Sequence, residues 1–304
     1  MLSISIRLSF FVLLLPYCPL ALTAAPLKVI ATTGMIADTT RAIGAELLEV
    51  KPLMGPGVDP HGYRLTRSDI AAMRHADIVL YNGLYLEAQV EPLLKRLKKH
   101  VRIEALAEQA IPKAQRHAHP SYQERYDPHV WMAPMLWAQV AKRIEQILSE
   151  ILPEHKTALA SRLAQYLTQL ERLDIDNRQK LSSIPKEHRV LLTAHDAFGY
   201  FGTAYNFEVI GIQGLSTQSE PALSRITALV EHLVAQEIPA VFVESSVSER
   251  NIRALIEGAA ARGHKLKIGG MLYSDAMGPP GSGADSYLTM ITHNVDQISS
   301  ALGK

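Results

Sequence analysis

The longest uninterrupted helical pattern in the chain divides it into two parts. Residues 154–183 contain no glycine or proline, and at about 1.5 Å per residue they predict a helix of roughly 45 Å. Apolar residues recur along this run at alternating spacings of four and three, and they form one stripe: Leu159, Leu163, Tyr166, Leu170 and Leu173. About two heptads are too few to favour a coiled-coil dimer. We therefore interpret the run as one helix packed across two lobes.

Strand-like and helix-like segments alternate on both sides of this helix. Four short apolar segments precede it as predicted strands: 27–33, 48–54, 76–81 and 101–106. Four more follow it: 189–194, 207–212, 240–244 and 265–268. Strands that alternate with helices imply parallel sheets with right-handed crossovers. The sequence therefore predicts an α/β fold with two βα lobes, residues 26–152 and 185–304, joined by one long rigid helix over residues 153–184.

The first 25 residues are predicted to be a secretory signal peptide. A basic residue, Arg7, precedes the apolar residues 8–15, and residues 21–25 are mostly small, as cleavage requires. This apolar run is too short to span a membrane, so we expect a periplasmic protein without direct membrane insertion. The single cysteine, Cys18, would carry any lipid anchor, but the two residues before it are bulky, which argues against lipidation.

Composition excludes some partners but does not define the function. Hydrophobic residues make up 47% of the chain and charged residues 20%, which is typical of a globular protein. The formal net charge is +1. Nothing in this balance favours binding to nucleic acid or to an anionic membrane surface.

Two copies of the tripeptide Asp-Pro-His stand in separate loops and end at His61 and His129. Proline fixes the approach of the chain to each imidazole, and two such triplets among twelve histidines are not expected by chance. His195 follows an apolar strand, at the strand end where α/β sheets bind ligands, although a buried structural role fits it equally well. Asp275 follows the last predicted strand, in a position where an aspartate usually caps a helix or forms a turn.

Three imidazoles and one carboxylate suit a divalent first-row metal such as zinc, manganese or ferrous iron. The predicted ligands are His61, His129, His195 and Asp275. Each half supplies two of them, which places the ion in the cleft between the lobes, where pockets tend to occur. Asp59 and Asp127 are candidates to orient the histidines that follow them, and Glu244 is a candidate to support the site from its strand end.

These motifs resemble those of the TroA-like metal-binding receptors of ABC importers, the cluster A-I group of solute-binding proteins. The matching stretches are distributed over nearly all of the chain after the signal: 54–61, 127–131, 195–201, 212–217, 243–246 and 273–277. The resemblance implies a receptor, not an enzyme, that carries one zinc, manganese or ferrous ion as cargo to a membrane permease. It also places the four ligand positions of the family on the four predicted ligands.

Two features depart from that family. Many relatives continue Tyr-Glu-Pro after the first histidine, whereas Gly62 and Tyr63 stand here. Dedicated zinc receptors often carry a long loop rich in histidine and acidic residues, whereas residues 111–126 contain only His117 and His119. We interpret this pair as solvated loop histidines in preference to an accessory metal catch. Some manganese receptors have glutamate in place of His195, so the histidine makes this set more tolerant of zinc.

Two alternative functions stay open at this point. A secreted zinc-dependent hydrolase would keep one metal position free for water beside a general base. Glu244 is the only base that we can nominate, and no His-Glu-x-x-His motif is present in the sequence. The other alternative is a surface-interaction protein that a metal merely stabilises. We expect a monomer in either case.

Overall fold

The computed structural model describes residues 25–118 and 124–303. The N-terminal lobe has four strands: β1 (Leu27–Ala31), β2 (Leu48–Pro52), β3 (Ile78–Tyr81) and β4 (Arg102–Ala105). Its helices are α1 (Gly34–Gly44), α2 (Arg67–Arg74), α3 (Glu91–Leu97), α4 (Leu106–Ala110) and α5 (Pro134–Ile151). The strands form one parallel sheet in the order β2-β1-β3-β4. Thr66 caps α2 with a reciprocal pair of hydrogen bonds to Asp69.

The long helix α6 (Lys156–Ser182) links this lobe to the second one. The C-terminal lobe has the strands β5 (Val190–His195), β6 (Glu208–Gln213), β7 (Ala240–Glu244) and β8 (Lys267–Leu272). Its helices are α7 (Gly199–Tyr205), α8 (Leu223–Ala235), α9 (Arg250–Ala260) and α10 (Tyr287–Leu302). Strand β6 pairs with β5 and strand β8 with β7, both in parallel, and β5 lies beside β7. The predicted fold, two βα lobes with parallel sheets joined by one long helix, is confirmed.

One apolar core extends through both lobes and the linking helix. It contains Trp137 from α5, Leu170 from α6, Phe242 from β7 and Tyr287 from α10. Helix α6 packs against α1 and α5 on one side and against α10 on the other. Two further apolar clusters each lie within a single lobe. The lobes are therefore packed on each other as well as tethered by a helix.

Two elements differ from the sequence prediction because tertiary contacts decide their bounds. The amphipathic pattern of residues 86–99 predicts a helix over the whole segment, but α3 begins only at Glu91, with Pro92 in its first turn. The residues before it form turns in which Leu84 and Tyr85 have φ values of 57° and 66°, a backbone region that ordinary side chains rarely adopt.

The last strand was expected at 265–268, but β8 runs to Leu272 and includes two glycines. At Gly269 a Cβ atom would lie 2.8 Å from the ring of Phe242 and from the Ala301 side chain. The glycine therefore lets the strand approach its neighbours. No helix in the described residues combines the length and the apolar composition that crossing a membrane requires.

Candidate metal centre

The four predicted ligand side chains meet at one point between the lobes. One ligand atom from each of His61, His129, His195 and Asp275 lies within 4.8 Å of the other three. All four residues are buried, and His61, at 4%, is the most exposed of them. His61 and His129 come from the N-terminal lobe, and His195 and Asp275 come from the C-terminal lobe.

Strand ends place most of this site. His61 lies in the loop after β2, His195 is the last residue of β5, and Asp275 follows β8. The carboxyl ends of parallel strands lie at one edge of a sheet, where α/β proteins bind ligands. His129 instead lies in the loop that leads into α5.

Distances within the cluster leave room for shared coordination. His129 Nε2 lies 3.3 Å from His61 Nε2 and 3.4 Å from Asp275 Oδ1. Asp275 Oδ2 lies 3.2 Å from His195 Nε2 and 3.8 Å from His61 Nε2. His195 Nε2 and Asp275 Oδ2 are close enough for a hydrogen bond, but their geometry does not form one. Within the described residues, His195 Nε2 and both carboxylate oxygens of Asp275 therefore lack a hydrogen-bond partner. Buried polar atoms without partners need an explanation, and this donor set fits a divalent zinc, manganese or ferrous ion.

Two carboxylates fix the orientation of two imidazoles. Asp127 Oδ1 accepts hydrogen bonds from the backbone N–H of His129 at 2.9 Å and from its ring Nδ1 at 2.7 Å. Glu244 accepts from the backbone N–H of His195 at 2.9 Å and from its ring Nδ1 at 2.5 Å. Each pair of bonds leaves Nε2 facing the centre of the cluster. The sequence predicts the contact of Asp127 with His129, whereas for Glu244 it predicts a supporting role but not the partner, which is His195.

Asp59 acts on the backbone instead. Its Oδ1 accepts the backbone N–H of His61 at 2.8 Å. The ring Nδ1 of His61 has no hydrogen-bond partner among the described residues, so its imidazole is the least constrained of the three.

The neighbouring imidazoles keep the carboxylate of Asp275 ionised. Burial lowers the pKa of His61 to about 3, against the attraction of Asp275. Burial also lowers the pKa of His129, but Asp127 and then Asp275 more than offset it and raise the pKa to about 9. For Asp275, burial raises the pKa, yet His195 and His129 hold it well below its usual range. An ionised carboxylate therefore faces the imidazoles, and a bound cation would replace the protons that they carry.

His117 is packed more closely than the sequence predicts. Its ring stacks on Tyr200 with centroids 4.1 Å apart, and its Nδ1 lies 4.0 Å from Asp127 Oδ2. The Tyr200 hydroxyl donates to the Asp127 carbonyl at 3.0 Å. His117 lies in a loop with 34% of its side chain exposed, so the expectation of a partly solvated loop histidine still stands as a prediction. Its packing on Tyr200 was not visible in the sequence because Tyr200 is distant along the chain. His119 and Cys18 lie outside the described residues.

The fold and the buried site together define the class of the protein, a metal-binding solute-binding protein of the ABC importer type. The fold consists of two parallel-sheet lobes and one linking helix, and the site consists of three histidines and an aspartate. The family model for zinc-uptake complex component A, periplasmic (ZnuA), matches residues 29–301. The chain belongs to this family, and the resemblance drawn from its motifs is confirmed.

Similar proteins align over almost the whole chain. The manganese-binding lipoprotein MntA of Bacillus subtilis (strain 168) is 44% identical over 277 residues, which cover 91% of this chain and 90% of the relative. The zinc-binding protein TroA of Treponema pallidum (strain Nichols) is 43% identical over 277 residues, which cover 91% of this chain and 89% of the relative. The solved structure of the periplasmic zinc-binding protein TroA from Treponema pallidum superposes with a TM-score of 0.89 at 41% identity. It covers 92% of this chain and 100% of that one.

Proposed function

We propose that the protein captures a divalent zinc, manganese or ferrous ion outside the cytoplasm and delivers it to the permease of an ABC importer. The observation that carries this proposal is the convergence of four buried side chains between two lobes. The proposed ligands are His61, His129, His195 and Asp275. Relatives named as manganese-binding and zinc-binding proteins support a cargo of this class.

The arrangement favours a receptor over a zinc hydrolase. Four protein ligands complete a tetrahedral zinc site, whereas a catalytic zinc keeps one position open for water. Both oxygens of Glu244 accept hydrogen bonds from His195, so the one candidate for a general base is already engaged. The lobes are packed on each other through a shared apolar core, which argues against a metal whose role is only to hold the fold together. We therefore propose a binding protein without enzymatic activity.

Removal of a single ligand tests the proposed site. We expect His129→Ala and Asp275→Ala each to weaken Zn²⁺ binding at least about tenfold, because three ligands remain around the ion. Calorimetry with Zn²⁺ and with Mn²⁺ measures this affinity. The variant His155→Ala changes a histidine outside the cluster and should bind as the unmodified protein does. An unchanged affinity in either ligand variant would remove that residue from the proposed set.

The physiological metal needs a different measurement. Divalent affinities follow a general order in which zinc exceeds iron and manganese, so tight binding of Zn²⁺ in vitro does not identify the natural cargo. The metal content of protein purified from its native compartment does identify it.

We also propose that residues 1–25 are a signal peptide and that the mature protein is a periplasmic monomer with lobes at 26–152 and 185–304. Several relatives are named lipoproteins, so the modification state of Cys18 decides whether a lipid anchors the protein to the membrane. We expect the intact mass of the mature protein to show cleavage near residue 25 and no lipid. A lipid-modified Cys18 at the mature N-terminus would contradict this expectation.

A further inference from the structure

The lobes meet in different ways on the two sides of the metal centre. Next to His129 the contacts between lobes are deeply buried. Trp131 Nε1 donates to the Ser274 carbonyl at 2.7 Å, and the Tyr287 hydroxyl donates to the Trp131 carbonyl at 2.8 Å. All three residues are at most 1% exposed. This side of the centre is therefore continuous with the core that both lobes share.

Next to His61 the lobes meet through loops. Asp59 lies in the loop after β2, and Thr217 lies in the loop after β6 of the other lobe. The Thr217 hydroxyl donates to Asp59 Oδ2 at 2.5 Å, while Asp59 Oδ1 accepts the backbone N–H of His61 at 2.8 Å. One carboxylate thus connects a candidate ligand loop to the opposite lobe.

The same two loops approach closely beside this bond. A Cβ atom at Gly62 would lie 2.5 Å from the Nε2 atom of Gln218. Gly57, with a φ of +71°, brings the N-terminal loop near a further loop of the other lobe, the one after β7, where a Cβ atom would lie 3.5 Å from the Ser245 carbonyl oxygen. The loops are therefore in contact as the structure stands, and the Asp59–Thr217 bond is the polar link within that contact.

His61, although buried, is also the candidate ligand that lines a cavity. It lines a cavity of about 370 Å³ together with residues of the loop that carries Thr217, namely Gly214, Leu215, Ser216 and Ser219. Its imidazole has no carboxylate partner on Nδ1, in contrast to His129 and His195. An ion that moves between the cluster and this cavity passes His61.

We propose that Asp59 and Thr217 form a catch between the lobes that positions His61 and sets the rate at which the bound ion leaves. The inference rests on the proposed function, since it concerns the same metal centre. While the bond is intact, Thr217 holds Asp59, and Asp59 holds the backbone of His61. When the loops separate, the bond breaks and His61 moves away from the ligands that the core holds in place. Thr217 is thus a positioning residue that does not touch the ion.

Thr217→Val removes the hydroxyl donor and keeps the shape of the side chain. Full-length protein loaded with Zn²⁺ is mixed with excess EDTA, and the release of Zn²⁺ is followed by stopped flow. We expect release to become about tenfold faster, the effect of losing one hydrogen bond to a charged group. The rate constant of capture should change little, because changes within one site act mainly on dissociation.

Two matched variants control this experiment. Thr217→Ser keeps the hydroxyl and should restore slow release. Thr227→Val makes the same substitution on the exposed surface of α8, where the hydroxyl donates only to the Leu223 carbonyl, and should leave the release rate unchanged. The metal-free melting temperature should be unchanged in Thr217→Ser and Thr227→Val and should fall by only a few degrees in Thr217→Val, because one hydrogen bond is lost from the folded protein. Faster release together with a fall of about 10 °C or more would overturn the catch in favour of a general loss of stability.

A double variant separates the catch from other effects. Asp59→Ala loses both hydrogen bonds and should release Zn²⁺ faster than Thr217→Val does. Asp59→Ala/Thr217→Val should be no faster than Asp59→Ala alone, because both changes break the same link. Additive effects, or an unchanged rate in Thr217→Val, would overturn the catch. If the unmodified protein binds none of Zn²⁺, Mn²⁺ and Fe²⁺, the proposed function fails instead.

Discussion

A carboxylate stands behind each histidine of the metal centre, but the contact differs from one histidine to the next. Asp127 and Glu244 accept the ring Nδ1–H of His129 and His195. A ring that donates through Nδ1 keeps the lone pair of Nε2 free to bind a metal. Two of the imidazoles are thus held in the orientation that coordination requires, and each gives up its Nε2 proton when an ion binds.

Glu244→Gln tests this orientation at a single atom. The amide presents a donor where the carboxylate has only acceptors, so one of the two hydrogen bonds to His195 is lost. The ring is then free to turn a protonated nitrogen toward the ion. Loss of such a supporting contact typically weakens metal binding about 10- to 100-fold, and we expect calorimetry with Zn²⁺ to show a decrease in this range.

Glu220→Gln is the matched control, since Glu220 is exposed and accepts only a long hydrogen bond of 3.4 Å from Asn251 within the described part of the chain. It should bind Zn²⁺ like the unmodified protein. Equal affinities for the Glu244 and Glu220 variants would show that the carboxylate of Glu244 does not orient His195.

The sequence predicts Glu244 and Asp127 but not Thr217, for a physical reason. Glu244 ends an apolar strand and Asp127 precedes a histidine by two residues, so local patterns mark both of them. Thr217 reaches Asp59 only because loops from two lobes approach each other. No local sequence pattern predicts this contact between residues that are far apart along the chain.

The buried carboxylate of Glu87 holds the turn before α3 in place through hydrogen bonds. Glu87 Oε1 accepts hydrogen bonds from the Thr32 hydroxyl at 2.6 Å and the Asn82 backbone N–H at 2.8 Å, and Oε2 accepts from the Gly83 N–H at 3.1 Å. The Asn82 side chain in turn donates to the Pro128 carbonyl at 3.0 Å, next to His129. The turn therefore links the edge of the N-terminal sheet to the loop of a candidate ligand.

Glu87 should make stability depend on pH. Burial raises its pKa from 4.5 to about 7, against hydrogen bonds that favour the ionised form. Because the folded state holds the proton more tightly than the unfolded chain, this stabilisation is complete below the unfolded pKa and is lost as pH rises through about 7. The free energy of unfolding changes by about 3 kcal/mol between a pH well below the unfolded pKa and a pH well above the folded pKa.

Glu87→Gln cannot ionise and should lose this pH dependence. Denaturant unfolding of the metal-free protein at about pH 5 and about pH 8 compares the two chains. The amide loses the hydrogen bond from Gly83 at every pH, which lowers the free energy of unfolding by a constant amount. The informative quantity is therefore how much the free energy of unfolding changes between the two pH values. Parallel pH dependence in the two proteins would show that Glu87 is ionised in both states.

Element bounds are predictable from the sequence where the determinants are local. Helix α5 begins at Pro134, a residue that favours the first helical position, and strand β7 is observed at its predicted bounds. The expected helix at 86–99 is shortened because the carboxylate of Glu87 binds backbone N–H groups of the preceding turn. Strand β8 extends through two glycines because it packs closely on Phe242. Both deviations come from contacts between residues far apart along the chain.

The shared core limits how the whole molecule can move. Ile144 of α5, Leu170 of α6 and Ile298 of α10 are fully buried in the same cluster. A continuous helix between the lobes also resists a wide hinge motion. Movement between the lobes is therefore concentrated on the side where loops meet, next to His61.

A core that spans two lobes should also make them unfold together. We expect calorimetry of the metal-free protein to show one transition, with the calorimetric and van't Hoff enthalpies equal. Ile144→Ala in the N-terminal lobe and Ile298→Ala in the C-terminal lobe should each remove about 2–5 kcal/mol of stability. Both should lower that single transition without splitting it.

The exposed residue Ile175 of α6 provides the control for these core variants. It is 60% exposed, so Ile175→Ala should change stability by only about 0.5 kcal/mol or less. If the lobes were separately stable, Ile298→Ala would shift only the part of the heat absorption that belongs to its own lobe, and two transitions would appear. One transition that moves with variants in either lobe would mean that the two lobes unfold as a single cooperative unit.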